Sequence, residues 1–174
     1  MENPQLAAAL ATLEAGTKDL LARINRLPPE TPQLRSPQGG WTVAQIVQHL
    51  GITEETLILN RYVAAMRRGE TGEGRIEPPA QPADPKTMSS RSRKVPTFPE
   101  LEPTSAPSWD EAKARLEAAN GNLREAVLAC PPGAQHLHPR FGLLPLDVWI
   151  RDVAGGHFER HRQQIEEILS QNGY

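Results

Sequence analysis

The chain has 174 residues, with 19 lysines and arginines against 21 aspartates and glutamates, so its formal net charge is -2. A chain of this length fits one domain with a sizeable core, and we expect residues 1–174 to form a single domain. Because the two signs of charge are interspersed and aromatic residues are few, the composition argues against a nucleic-acid partner.

Two features of the sequence bear on the cellular compartment. Cys130 is the only cysteine, so no internal disulfide can form. The N-terminal residues lack the basic and apolar blocks of a signal peptide, and no apolar run approaches the length of a membrane span. We therefore predict a cytoplasmic protein with no membrane partner.

The first 70 residues contain two predicted long helices. Leucine and isoleucine recur at helical spacing from about Pro4 to Leu27, and two prolines then end the helix. Thr42 and Gln45 have the spacing of a capping box, so the second helix is expected to start at Thr42 and to end near Gly69. Its apolar stripe is predicted to consist of Val43, Ile46, Val47, Leu50 and Leu57.

A long connection follows, from Gly69 to Pro107, rich in proline, serine and charge and without sustained periodicity. It is predicted to be a crossover loop between helices two and three, either disordered or functional, for example as a lid over a site. We expect it to be mobile without ligand, so that proteases cut within it first, near Arg91 to Lys94. That basic run favours solvated surface over a phosphate site, since no glycine-rich cradle accompanies it.

Two further helices are predicted in the last third of the chain. Ser108 and Glu111 form a second capping-box pattern, and the apolar positions Ala112, Leu116, Ala119, Leu123, Val127 and Leu128 continue helix three. Residues 135–144 are expected to be a turn region, and Pro145 fits the first turn of a fourth helix that continues to about Ser170. The predicted fold class is therefore all-α, a four-helix bundle with a long crossover loop between helices two and three.

Five histidines are present, and two of them carry the strongest functional signal. His157 and His161 are four residues apart in helix four, on the apolar stripe that includes Ile150 and Ile165, so both imidazoles project from one buried face. Buried imidazoles need partners, which a mutual hydrogen bond, a carboxylate, a water or a shared metal ion could supply.

A catalytic metal usually requires a third protein ligand, and His49 is the favoured one. His136 and His138 fall in the turn region, whereas His49 lies inside helix two, three residues from Ile46. Ligands from facing helices converge in the interior of a bundle, and three imidazoles would leave an open face on the metal.

Several stretches in a fixed order resemble the DinB-like superfamily, in particular its small DinB-domain branch related to the YfiT-like group, whose expected activity is metal-dependent hydrolysis. They are Trp41 to Leu50, His138 to Gly142, Trp149, and His157 to Ile165. The resemblance spans most of the chain, and the Gly69–Pro107 loop does not contribute to it.

This resemblance implies a four-helix bundle that holds a divalent metal, zinc or nickel, through His49, His157 and His161. Similar proteins include thiol-dependent S-transferases and an isomerase that use mycothiol or bacillithiol, so a low-molecular-weight thiol is a possible cosubstrate.

Polar residues that could orient the ligands are Gln45, Asp152, Glu159 and Gln164. Trp41 and Trp149 are expected in the core, and tight helix packing is the favoured reason for Gly155-Gly156.

The expected function is a metal-dependent hydrolase or a thiol S-transferase acting on a small molecule, with no catalytic side chain assigned. The alternative is a non-catalytic bundle, stabilised by the metal, that acts as a dimeric interaction module. A third and weaker interpretation is haem held by histidines. The lack of a Cys-x-x-Cys-His motif excludes covalently attached haem only. A homodimer is possible in any of these cases.

Overall fold

Four long helices make up most of the computed structural model, which describes residues 3–92, 97–103 and 106–174. Helix α1 is Pro4–Asn25 and α3 is Trp109–Leu128. Helix α2 covers residues 43–67 as Val43–Thr53, Glu54–Val63 and Ala64–Arg67, and α4 covers residues 146–171 as Leu146–Val148, Trp149–Ala154 and Gly155–Gln171. The predicted mainly helical fold is confirmed. Within the described ranges, none of the helices is both long and apolar enough to cross a membrane.

Both predicted capping boxes are present and start their helices as expected. The backbone N–H of Gln45 donates to Thr42 Oγ1 at 3.2 Å, and the Gln45 side chain accepts from the Thr42 N–H at 2.9 Å. Ser108 and Glu111 make the equivalent reciprocal pair at the start of α3. Each box satisfies two backbone N–H groups that would otherwise be unpaired at the start of the helix. Local sequence alone therefore fixes where α2 and α3 begin.

One core joins all four helices. Its largest fully buried side chains are Trp149, Ile24, Ile46, Leu50, Met66, Leu116, Leu123, Ile150, Ile165, Leu169, Val43 and Val47. Helices α2 and α3 approach each other closely at Gly51, where an added Cβ would lie 3.0 Å from the backbone nitrogen of Leu116. The core therefore holds α2 at a fixed depth and rotation, and with it the face that carries His49.

Helices α2 and α4 both contain a π-helical segment, Glu54–Val63 and Trp149–Ala154. A π turn adds a residue per turn relative to an α-helix and so rotates the following side chains around the axis. The prediction that Leu57 belongs to the buried stripe of α2 was only partly right for this reason. Leu57 is half-buried, and its neighbour Ile58 is buried in its place.

The region predicted as a turn, residues 135–144, contains a β-hairpin instead. Strands β1 (Gln135–His138) and β2 (Gly142–Pro145) pair antiparallel, with Gln135 opposite Pro145 and His138 opposite Gly142. Gly142 has φ +78°, a conformation that favours glycine. Pro145 ends β2 and precedes the first residue of α4, whereas the sequence placed it inside the helix. Strands of four residues are too short to show a periodic pattern.

The apolar positions that were predicted to continue helix three all lie in α3. Leu128 is the last residue of that helix and is 60 % exposed.

The connection between α2 and α3 packs against the helices at two points. It contains the short 3₁₀ helices Pro85–Ser89 and Pro99–Leu101, and Leu101 is buried. At Gly156 of α4, an added Cβ would lie 2.9 Å from Cβ of Met88. The close approach that explains this glycine is therefore to the connection and not to another helix. Arg93 and Lys94, part of the predicted cleavage region, lie outside the described residues, and the mobility of the loop stays a prediction.

A carboxyl group is buried between α2 and α3. Glu54 Oε2 accepts a hydrogen bond of 2.5 Å from Asn120 Nδ2, while Glu54 Oε1 and Asn120 Oδ1 have no partner in the described part of the chain. Burial raises the pKa of Glu54 to about 8, and the bond from Asn120 opposes this only in part. At neutral pH the carboxyl is therefore protonated.

Protonation of Glu54 makes folding pH-dependent in a defined direction. Because its pKa is higher in the folded protein than the ordinary 4.5, the folded state binds the proton more tightly, and stability falls as pH rises from about 4.5 through 8. Glu54→Gln has a similar shape and cannot ionise. We predict that urea unfolding shows the wild type losing about 1–3 kcal/mol more than the variant between pH 5 and pH 8. Parallel pH curves for the two proteins would contradict this assignment.

Candidate metal centre

Two helices supply the three histidines singled out by the sequence. His49 lies on α2, six residues after its first residue, and His157 and His161 lie one turn apart on α4. Helices α2 and α4 are in direct contact. His49 and His161 are buried, and His157 keeps part of its surface exposed. The structure therefore brings all three together at the contact between the two helices.

The three imidazoles form a compact cluster. One ring nitrogen from each lies within 4.8 Å of the others, and His49 Nε2 is 3.2 Å from His157 Nε2. The ring centroids are 4.6 to 5.1 Å apart, and the rings meet edge to face. In the part of the chain that the structure describes, this is the one group of three or more such side chains with metal-ligand spacing.

Hydrogen bonds at the outer ring nitrogens orient two of the imidazoles. His49 Nδ1–H donates to the backbone carbonyl of Leu101 at 2.7 Å, and His161 Nδ1–H donates to Gln164 Oε1 at 2.9 Å. A carbonyl can only accept, so the proton of neutral His49 must sit on Nδ1. Its Nε2 then presents a lone pair toward the cluster, and the same holds for His161. This is the arrangement in which histidines bind metals.

The pKa values of the three imidazoles all lie below the usual 6.5. Burial is the main cause for each; for His161 it lowers the pKa to about 3, helped by His49 and opposed by the bond to Gln164. The positive charges of Arg160 and Arg91 lower the pKa of His161 further. The imidazoles are therefore neutral at physiological pH, as metal ligands must be.

The donor set and its spacing fit a divalent transition metal. Three neutral imidazoles suit zinc, nickel and related ions. At about 2.0–2.1 Å from each nitrogen, a tetrahedral ion holds neighbouring nitrogens roughly 3.3 Å apart, close to the spacing of His49 and His157. The group contains three potential ligands among the described residues, so one or more positions on the ion would face substrate or water.

The other two histidines serve the hairpin. His138 Nδ1 accepts from the backbone N–H groups of Arg140 and Phe141, and burial lowers its pKa to about 4. His136 is buried and its carbonyl accepts from Trp149 Nε1 at 3.0 Å. Neither belongs to the three-histidine group. These bonds place the His138 side chain at the turn of the hairpin.

Of the four residues considered as partners for the ligands, Gln164 contacts one. Asp152 pairs with Arg151, Glu159 pairs with Arg162, and Gln45 completes the capping box at Thr42. Gln164 follows His161 by three residues, which places both on the same side of α4. That spacing was the available signal, but the sequence left Gln164 as one of four candidates.

Two contacts of the site were missed by sequence reasoning. The carbonyl of Leu101 is a backbone group of the connection, and no residue type marks it. Trp41 was expected in the core, but it is half-buried, and its ring centroid lies 4.8 Å from that of His49 and 6.5 Å from that of His161. Its position directly before the capping residue Thr42 brings it to the end of α2 that faces the cluster.

Two surface cavities lie away from the histidines. One of about 460 Å³ lies between α2 and α3, and another of about 540 Å³ lies between α1 and α4, and none of the three histidines lines either. The connection contacts this part of the structure, since the Leu101 carbonyl bonds to His49 and Met88 of the Pro85–Ser89 helix lies against Gly156 of α4.

Comparison with known proteins agrees with this geometry. No match to a curated protein was found. Residues 12–165 match the family model of the DinB superfamily, a span that contains all of α2, α3 and the three histidines. Since the match covers most of the 174 residues, the chain belongs to the DinB superfamily.

Proposed function

We propose that this protein is a divalent-metal-dependent enzyme in which His49, His157 and His161 hold one ion, zinc or nickel. The observation that carries the proposal is the convergence of three neutral imidazoles, with one ring nitrogen of each within 4.8 Å of the others. Structural zinc sites are normally closed by four protein ligands, often cysteines. A three-imidazole set on a chain whose single cysteine lies elsewhere favours an open, catalytic site.

Each part of the site has a defined task in this proposal. A bound divalent ion supplies Lewis acidity, which favours the deprotonated form of a water or thiol and polarises an electrophile. The Leu101 carbonyl and the Gln164 side chain fix the tautomers of His49 and His161, so that their Nε2 lone pairs point inward. Trp41 packs against His49 and limits the access of solvent to the cluster from that side.

Two reaction classes share these requirements. In hydrolysis, water adds across an ester or amide bond and yields an acid with an alcohol or amine. In thiol transfer, the sulfur of a low-molecular-weight thiol loses its proton and forms a C–S bond as the electrophile releases its leaving group. The resemblance of the histidine-bearing stretches to thiol-dependent transferases supports the second class, and the YfiT-like relationship supports the first.

Several finer expectations remain part of this proposal. They are a four-helix bundle built as one domain over residues 1–174, a long crossover loop between α2 and α3, a homodimer and a cytoplasmic location. The competing reading is a non-catalytic module in which the metal only ties α2 to α4. Turnover by the metal-loaded protein distinguishes the two readings.

Metal stoichiometry tests the ligand set. We predict that protein purified without chelator contains about one zinc or nickel per chain, and that His157→Ala and His161→Ala each abolish stoichiometric binding, because two imidazoles hold such ions weakly. Gln164→Ala should weaken binding about 10-fold through loss of the bond that orients His161. Elemental analysis and competition with a chromophoric chelator measure both effects.

Two variants serve as matched controls for the metal series. His138→Ala removes an imidazole from the hairpin and Gln163→Ala removes an amide from the residue next to Gln164, and both should keep full binding. A wild type with no stoichiometric metal and no uptake of added zinc or nickel would contradict the ligand set. Loss of metal in His138→Ala but not in His157→Ala would move the site to the hairpin.

Turnover tests the enzymatic reading. We expect the metal-loaded protein to turn over a member of one of two panels, either esters and amides, or electrophiles offered with bacillithiol, mycothiol or glutathione. His157→Ala and metal removal should each lower the rate by at least about 100-fold, because the ion supplies the main stabilisation of developing charge. No turnover in either panel, together with a loss of thermal stability alone on metal removal, would favour the structural module.

A further inference from the structure

The cavity of about 460 Å³ between α2 and α3 carries polar side chains on both of its walls. Helix α2 supplies Asn60 and Arg67, and α3 supplies Asn122 and Glu125. Small-molecule sites in proteins have volumes of this order, with an apolar lining and a few polar groups that fix the ligand. The cavity therefore has the size and the mixed lining of a ligand site.

The protein itself leaves these four polar side chains unused. Within residues 3–92, 97–103 and 106–174, none of them makes a side-chain hydrogen bond or an ion pair. The same two helices do pair charges elsewhere along their contact, since Arg115 of α3 lies 2.6 Å from Glu55 of α2. Guanidinium, carboxylate and two carboxamides thus remain available to a molecule in the cavity.

The direction of the two helices sets how these groups are spaced. An added Cβ at Gly51 of α2 would touch Leu116 of α3, and further along both helices the Val63 carbonyl lies 3.9 Å from Cys130 Sγ. Residue numbers on the two helices therefore increase in the same direction, and α2 and α3 run parallel.

The two charges lie toward opposite ends of the cavity as a result. The offset that pairs Gly51 with Leu116 puts Asn60 level with Glu125. Arg67 lies seven residues beyond Asn60, which is about two turns, or about 10 Å along the axis. This separation agrees with the absence of an ion pair between Arg67 and Glu125 within the described ranges.

Part of the α2 wall belongs to the π-helical segment Glu54–Val63, which supplies Leu59 and Asn60 to the cavity. Such segments are rare in helices and are frequent at functional sites. The apolar part of the lining comes from Leu59 and Ala64 on α2 and from Ala126 on α3. The irregular stretch of α2 thus coincides with the proposed ligand site.

The available groups define the chemistry of a fitting ligand. The guanidinium of Arg67 is suited to a carboxylate, and the carboxylate of Glu125 is suited to an ammonium group. The carboxamides of Asn60 and Asn122, at the Glu125 end, each offer donors and an acceptor, as a peptide amide requires. An extended dipeptide spans about 7 Å, which leaves about 3 Å of the axial separation to be covered by the side chains.

We propose that this cavity binds a small zwitterion of the dipeptide type, with its ammonium group at Glu125 and its carboxylate at Arg67. None of the three clustered histidines lines the cavity. The site is therefore separate from the candidate metal centre and goes beyond the proposed function. It requires no metal, so the two proposals stand or fall independently.

NMR of the full chain with L-alanyl-L-alanine tests the proposal. The side-chain amide signals of Asn60 and Asn122 should shift saturably at millimolar dipeptide. The amide of Asn25, whose Oδ1 accepts from Trp109 Nε1, should not shift. The N-acetylated dipeptide lacks the ammonium group and the C-terminal amide lacks the carboxylate, and each should bind at least about 10-fold more weakly.

Charge-removing variants assign each end of the ligand. Arg67→Gln should bind the free and the amidated dipeptide equally, and Glu125→Gln should bind the free and the N-acetylated dipeptide equally. Two matched controls are Arg68→Gln, whose arginine pairs with Glu70, and Glu117→Gln on the exposed side of α3. Both should keep the affinity for the free dipeptide within about twofold. The substituted side chains are exposed, so the fold should tolerate every variant.

Three results would overturn the dipeptide site: no saturable shift with the free dipeptide, equal binding of the blocked forms, or equal weakening by the control variants. Any of these would leave the metal proposal intact if the wild type still takes up one zinc per chain. Conversely, selective binding that Arg67→Gln and Glu125→Gln abolish supports the dipeptide site even if no metal binds.

Discussion

The hydrogen bond from His49 Nδ1 to the Leu101 carbonyl links every part of this structure that bears on function. It sets the tautomer of His49, and so decides that the Nε2 lone pair faces His157 and His161. It also anchors the connection to α2 at a point 52 residues distant along the chain. If this bond were absent, His49 could take either tautomer and the connection would lose its contact with the cluster. The bond thus couples the state of the site to the position of the segment that covers it.

The electrostatic environment of the three histidines disfavours protonation of their rings. Burial keeps the imidazoles neutral, and neighbouring arginines make protonation still less favourable. In such an environment, a metal ion would bind only through strong ligand bonds. The same environment would favour anionic species near that ion.

Much of the fold and the core of the site could be predicted from the sequence because their signals are local. Each capping box, at Thr42 and at Ser108, is a pattern of four residues that marks the start of a helix. The spacing of His157 and His161 requires only the helical repeat. The remainder depends on contacts between distant segments. No local pattern shows that π turns shift the buried face from Leu57 to Ile58, or that a four-residue strand pairs across a tight turn. A backbone carbonyl such as that of Leu101 likewise has no signature until the chain is folded. The three clustered histidines were predictable, and of the two groups that orient them Gln164 lies on the same helix as its partner while the Leu101 carbonyl does not.

Zinc-edge X-ray absorption on protein loaded with one equivalent of zinc tests the central claim most directly. The account predicts nitrogen or oxygen neighbours alone at about 2.0 Å, with the outer-shell scattering of three imidazoles. His157→Ala should reduce that scattering to two rings or release the ion. A sulfur neighbour at about 2.3 Å, which Cys130 would have to supply, or a wild-type spectrum with fewer than three imidazoles, would contradict it.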